Sequence, residues 1–101
     1  AEMSGDGELY KKLGQVYMQL DDYTNGAKYL GLALKKGGLK REDVVAIMEG
    51  MCYFNLGELD KARKSFELAA KDTRSGKQAR KWISYLANEK ERLRKIKEFL
   101  S

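Results

Sequence analysis

The chain has 101 residues, with 20 Lys/Arg against 15 Asp/Glu, a formal net charge of +5, no histidine, no proline and one cysteine. The missing histidine removes the commonest general base and a common metal ligand, and a lone cysteine forms no intramolecular disulfide. No apolar run approaches the roughly 18 residues of a membrane-crossing helix, and the length suits one domain with a small core. The charge is unevenly placed: residues 1–70 hold 10 Lys/Arg against 11 Asp/Glu, whereas residues 71–101 hold 10 against 4. An anionic partner would therefore be met in the last third.

Residues 1–6 read as a disordered start or the scar of a cut end. From Glu8 to Leu20 the residues Leu9, Tyr10, Leu13, Val16, Tyr17 and Leu20 recur at helical spacing and form one broad apolar stripe. Asp21-Asp22 breaks that pattern and caps a second helix, carried by Tyr23, Ala27, Leu30 and Leu34 to Lys35-Lys36 and closed by Gly37-Gly38. Glu42 and Asp43 open a third helix, which runs to Leu56 and is closed by Gly57. Leu59, Ala62, Phe66, Ala69 and Ala70 give a fourth helix its buried side. Ser75-x-x-Gln78 has the form of a capping box, from which a fifth helix continues without a breaker to Leu100. Its first half is bulky, with Ala79, Trp82, Ile83, Tyr85 and Leu86, and reads as a lid on the preceding helices. From Asn88 it is dense in charge, with a thin stripe of Leu93, Ile96, Phe99 and Leu100, and reads as a projection beyond the body.

Two stretches repeat in register. Gly14-x-x-Tyr17-x-x-Leu20 returns 36 residues later as Gly50-x-x-Tyr53-x-x-Leu56, followed by Tyr23 with Leu59, Gly26 with Ala62, Leu30 with Phe66 and Ala33 with Ala69. A period of this size marks stacked repeats. The residues Leu13-Gly14-x-x-Tyr17, Asp22-Tyr23-x-x-Gly26 and Ala33 in one unit resemble the tetratricopeptide repeat (TPR) family. So do Gly50-x-x-Tyr53, Gly57-Glu58-Leu59-x-x-Ala62, Phe66 and Ala69 in the other. The resemblance implies an all-α fold of right-handed helical-hairpin repeats, with one unit over 7–40, a second over 41–75 and a long C-terminal capping helix over 76–101. The chain departs from the family pattern in its 36-residue period, against the usual 34, and in lacking the proline that commonly follows a repeat. Gly26 replaces the usual alanine, and Glu49 stands where Leu13 stands in the first unit. Two repeats are fewer than the roughly three that such arrays need. This implies a piece of a longer array, support from the long helix, or dimerisation. The link Lys35-Lys36-Gly37-Gly38-Leu39-Lys40-Arg41, with Ala79-x-x-Trp82-x-x-Tyr85, is more weakly similar to TPR proteins of bacterial cell envelopes, and tilts the expected location toward the envelope or periplasm.

In TPR proteins the first helix of each pair lines a concave groove. The resemblance places Val44, Ile47, Met48, Met51, Phe54 and Asn55 of the third helix there, with Lys11, Gln15 and Met18 of the first. One half of this groove is apolar and the other polar, so the expected ligand is an amphipathic protein segment. Three occupants stay open for the apolar half: the fifth helix of the same chain, a partner's apolar segment, or a second copy. The tail stripe Leu93, Ile96, Phe99 and Leu100 is a candidate for self-association, filling that groove in its own chain or in another. A terminal-carboxylate clamp is not expected, because Gln15, Met48 and Trp82 occupy positions that would need other residues.

The basic residues Lys77, Arg80, Lys81, Lys90, Arg92, Arg94, Lys95 and Lys97, with Trp82 and Tyr85 as stacking candidates, suggest nucleic acid as another partner. They surround the helix instead of forming a stripe, and Glu89, Glu91 and Glu98 interrupt them; Glu91-Lys95 has the spacing of a helix ion pair. A solvated, salt-bridged helix is the plainer expectation. Cys52 reads as a small core residue. The expected function is a noncatalytic protein-binding scaffold without cofactor or metal. The alternatives are a homo-oligomerisation module acting through the C-terminal helix and a binder of nucleic acid or anionic surfaces.

Overall fold

The computed structural model describes the backbone of residues 2–101 and the side chains from residue 6 onward. Among the described residues it is all helical: α1 (Glu2–Gln19), α2 (Tyr23–Lys36), α3 (Glu42–Asn55), α4 (Leu59–Ala70) and α5 (Thr73–Leu100). Each helix packs on the next, and α3 also touches α5. The result is two antiparallel hairpins, α1–α2 and α3–α4, with α5 laid on the second. Helix α1 begins at Glu2, inside the 1–6 stretch expected to be disordered; residue 1 lies outside the described residues.

The repeat is visible as repeated contacts. A Cβ on Gly14 would lie 2.6 Å from Leu30 Cγ, and one on Gly50 would lie 2.6 Å from Phe66 Cε1. In both hairpins, a missing side chain on the first helix admits a large one from the second. Leu30 and Phe66 are fully buried, each contributing about 2–3 kcal/mol from removal of apolar surface. The hairpin turns repeat as well. Asp22 N–H donates to Tyr17 O (2.8 Å) and Asp21 N–H to Met18 O (3.0 Å). Thirty-six residues on, Glu58 N–H donates to Tyr53 O (2.9 Å) and Gly57 N–H to Phe54 O (3.0 Å). Both are Schellman closures, which need a left-handed residue just past the helix. Gly57 supplies it at φ 77°, whereas the first hairpin uses Asp21 at φ 60°. Asp22 then caps α2, accepting from Asn25 N–H at 3.1 Å.

Two departures from the family pattern have local explanations. A Cβ on Gly26 would meet Cys52 Sγ at 3.0 Å, so glycine there makes room for the thiol. Glu49, replacing an apolar residue, accepts a hydrogen bond from Ser65 Oγ at 2.8 Å. A Cβ on Gly31 would sit 3.1 Å from Glu49 Oε2, so glycine in α2 leaves space for the carboxylate.

Helix α5 starts differently from the expectation. Its cap is Asp72, which accepts from Arg74 N–H at 2.8 Å, so Ser75 is not the capping residue. Ser75 is buried instead and donates Oγ to Asp43 Oδ2 at 2.6 Å. The capping-box pattern is local, and a partner 32 residues away outweighs it. Leu9, Leu13, Val16 and Leu20, which the periodicity grouped with the rest of the α1 stripe, lie on the surface. The buried side of α1 is the one carrying Gly14.

Candidate protein-binding face

Helix α3 touches both α1 and α5, which makes the three helices contributors to one face. Gln15 Nε2 lies 3.7 Å from Met48 Sδ, joining α1 to α3. Phe54 on α3 lies 5.6 Å from the Trp82 ring and 5.5 Å from the Tyr85 ring on α5, measured between centroids, in tilted arrangements. Trp82 in turn stacks on Phe66 at 5.1 Å with 6° between the planes, and meets Tyr85 edge-on at 6.0 Å. The aromatic ladder starts in the core at Phe66 and ends at the surface with Tyr85, which is half exposed. Around its outer end lies an open cavity of about 400 Å³ lined by Phe54, Gln78, Lys81, Trp82 and Tyr85. Offset and tilted aromatic pairs are individually worth about 0.5–1.5 kcal/mol beyond their burial. The cluster is therefore held in place before anything binds.

The sequence-predicted residues divide. Lys11, Gln15, Met18 and Met48 are half-buried; Lys11 Nζ pairs with Glu8 at 2.9 Å, and Met18 and Met48 pack against the α2–α3 core. Met51 and Phe54 are half-buried against the α3–α4–α5 core, and Val44 is exposed. Asn55 is exposed, and its side-chain amide donates back to Met51 O at 2.8 Å. Ile47 is only 5 % exposed and belongs to the core with Phe66 and Leu86, so it is withdrawn from the surface. Ile47 is covered because α5 lies against α3 on that side and brings Leu86 over it, beside Phe66 of α4. The first half of α5 thus covers part of the groove. Within its own chain the tail stripe does not fill it: α5 runs on to Leu100, and Leu93, Ile96, Phe99 and Leu100 are exposed. The sequence marks Trp82 and Tyr85 as part of a lid on the preceding helices and as stacking candidates for nucleic acid, but not as residues of this face; that depends on their contact with Phe54 across α3 and α5.

A charged knot joins α3 to the start of α5. Asp43 is buried and accepts from Arg41 Nε and Nη2 (3.0 and 2.6 Å) as well as from Ser75 Oγ; Arg74 Nη2 lies 3.8 Å away. The Arg41 guanidinium, helped by Ser75 and Arg74, holds the Asp43 carboxyl far below the ordinary range despite its burial. Glu49 is shifted the other way, raised by burial more than the Ser65 bond lowers it. Burial and the nearby Glu49 push the Cys52 thiol up to about 11, opposite to the shift that makes a cysteine reactive.

On the tail the charges are satisfied locally. Arg92 pairs with Glu89 at 2.6 Å, Arg94 with both Glu91 and Glu98, and Lys90 reaches Asp60 on α4 at 2.8 Å. Glu91 thus pairs with Arg94 in place of the expected Lys95. These pairs leave fewer free cations for a phosphate backbone, and the helix matches the solvated reading.

Stacked helical hairpins with small residues where their helices cross define a repeat scaffold. A family model described as tetratricopeptide repeat matches residues 7–35 and 45–71, together more than half of the chain. The chain belongs to the tetratricopeptide repeat family, whose members are generally protein–protein interaction modules and typically noncatalytic. No curated protein and no solved structure matches the chain.

Proposed function

We propose that the chain is a noncatalytic scaffold that holds an amphipathic segment of a partner protein along the face of α1, α3 and α5. The observation that carries this reading is the pre-built aromatic cluster of Phe54, Trp82 and Tyr85 around an open cavity of about 400 Å³. Aromatic side chains held in place at a surface are the usual anchors of protein interfaces. The anchor takes an apolar or aromatic side chain of the partner, and Gln78 and Lys81 at the rim meet its polar groups. Toward α1 the face turns polar through Gln15 and Lys11, which suits the other side of the same segment. The raised thiol of Cys52 and the absence of histidine support a role without catalysis.

The test uses Tyr85→Glu, a change at a half-exposed side chain. Capture of a specific partner by the wild-type chain should be lost in this variant, with helicity by circular dichroism unchanged. Trp82 is the sole tryptophan, so its emission should shift as the partner is titrated in. Unaltered capture by Tyr85→Glu would remove the aromatic cluster as the anchor.

A further inference from the structure

In the second hairpin the outer side of α3 is a docking surface for the helix before it. Val45 and Cys52 have no exposure and pack against the cluster of Ala27, Leu30 and Ala33 on α2. The internal register puts Leu9, Leu13, Val16 and Leu20 of α1 at the positions of Val45, Glu49, Cys52 and Leu56. Among the described residues no helix packs there: Leu9, Val16 and Leu20 are 58 %, 51 % and 69 % exposed. With Leu13 among them, the four residues recur at spacings of four, three and four, those of a helix-on-helix seam. At the other end of the molecule, Leu93, Ile96 and Leu100 follow the same kind of spacing with Phe99 beside them, all exposed. Helix α5 packs on α4 and α3 while α1 packs on α2, and the molecule is 56 Å long. A chain therefore does not lay its own tail on its own α1.

Charge favours the meeting of these two faces between copies. Residues 6–22 carry Lys11 and Lys12 against Asp6, Glu8, Asp21 and Asp22, a net of −2, whereas residues 88–101 carry five Lys/Arg against three Glu, a net of +2 that remains although Lys90, Arg92 and Arg94 already pair within the chain. We propose that the outer face of α1 receives the C-terminal segment of α5 from a second copy of this chain. The contact joins two different patches, so it closes where two copies exchange tails about a two-fold axis and otherwise propagates head to tail. It covers two apolar stripes of a kind that seldom stays bare on a single molecule, and it leaves the α1–α3–α5 face free for a partner.

Mass in solution, measured by light scattering over a concentration series, tests this with two surface variants, Val16→Glu in α1 and Ile96→Glu in the tail. The wild-type chain should gain mass with concentration and lose it as salt is raised. Each variant alone should associate about tenfold more weakly or worse, since a carboxylate is forced into an apolar contact. Helicity should not change. Mixing the two variants should restore association, because one intact α1 face then meets one intact tail. A wild-type chain that stays monomeric would overturn the proposal and assign the α1 face to another chain segment or protein. Association surviving in Ile96→Glu alone would show α1 meeting α1, and survival in Val16→Glu alone would show tail meeting tail. A mixture no heavier than its components would overturn it as well.

Discussion

Val45, Glu49 and Cys52 of α3 stand at the same register as Leu9, Leu13 and Val16 of α1, yet the first set lies inward and the second outward. The inner contacts of the two hairpins, by contrast, are nearly interchangeable: Gly14 admits Leu30 as Gly50 admits Phe66. The shared positions build the hairpin, and the positions that differ decide what each hairpin can touch. In the second hairpin the partner is the first hairpin, and the contact surface has adapted to it with a thiol opposite Gly26 and a carboxylate opposite Gly31. In the first hairpin the same surface is plain aliphatic. The second hairpin is also extended by α5, whose Trp82 stacks on Phe66, whereas the cluster around Leu30 is flanked by Tyr10, Tyr23 and Tyr53.

The sharpest way to break the likeness of the two interiors is to empty them. Phe66→Ala should cost about 4 kcal/mol and Leu30→Ala about 3 kcal/mol in denaturant unfolding. The larger loss is expected at Phe66 because it also undoes the Trp82 stack. Equal costs would mean that α5 adds little to the second hairpin.

Next is the knot that the first hairpin lacks. Asp43→Asn should cost about 2 kcal/mol at neutral pH, the scale of hydrogen bonds to a charged group. Because the folded Asp43 carboxyl is held below its unfolded value, its contribution is present above the ordinary aspartate pKa, near 3.9, and is lost as pH falls below it. The Asn variant should therefore show a shallower acid-side loss of stability than the wild-type chain.

The two turns offer a smaller contrast. Gly57→Ala places a side chain at φ 77° and should cost about 1 kcal/mol, whereas Asp21→Gly relieves a residue at φ 60° and should gain about 0.5 kcal/mol. A loss at Asp21→Gly would show that the bond from Tyr23 Oη to Asp21, at 3.1 Å, outweighs the strain.

The smallest effect is expected at Glu49, whose carboxyl is raised in the folded chain. A raised acid stabilises most at low pH and loses that contribution as pH climbs through the unfolded value and then the folded one. Glu49→Gln keeps an acceptor for Ser65 and should change stability by less than about 0.5 kcal/mol. It should also flatten the decline on the alkaline side of the glutamate range, as thermal melts at a series of pH values would record.

These contrasts also mark how far the sequence is readable. The 36-residue register announces the hairpins, because glycine against a large residue and a turn closed by Asp21 or Gly57 are patterns visible in one dimension. The Asp22 cap and the Gly37 stop are legible for the same reason. The faces are harder. Periodicity groups Leu9, Leu13, Val16 and Leu20 with Tyr10 and Tyr17, but which side is covered depends on whether another helix is present. Ile47 sits among apolar neighbours on all sides of α3, so spacing alone does not say that it faces Phe66 and Leu86. Ser75 satisfies a local motif yet serves Asp43, and Trp82 and Tyr85 join Phe54 only because α5 lies across α3.

In the proposed function, a partner is held at the α3–α5 aromatic cluster. A photo-crosslinking residue placed at position 85, and in parallel at exposed position 67 on the outer side of α4, would test it most directly in the presence of the captured partner. Cross-links from position 85 and none from position 67 are the predicted result. Labelling that is equal at the two positions, or absent at position 85, would contradict it.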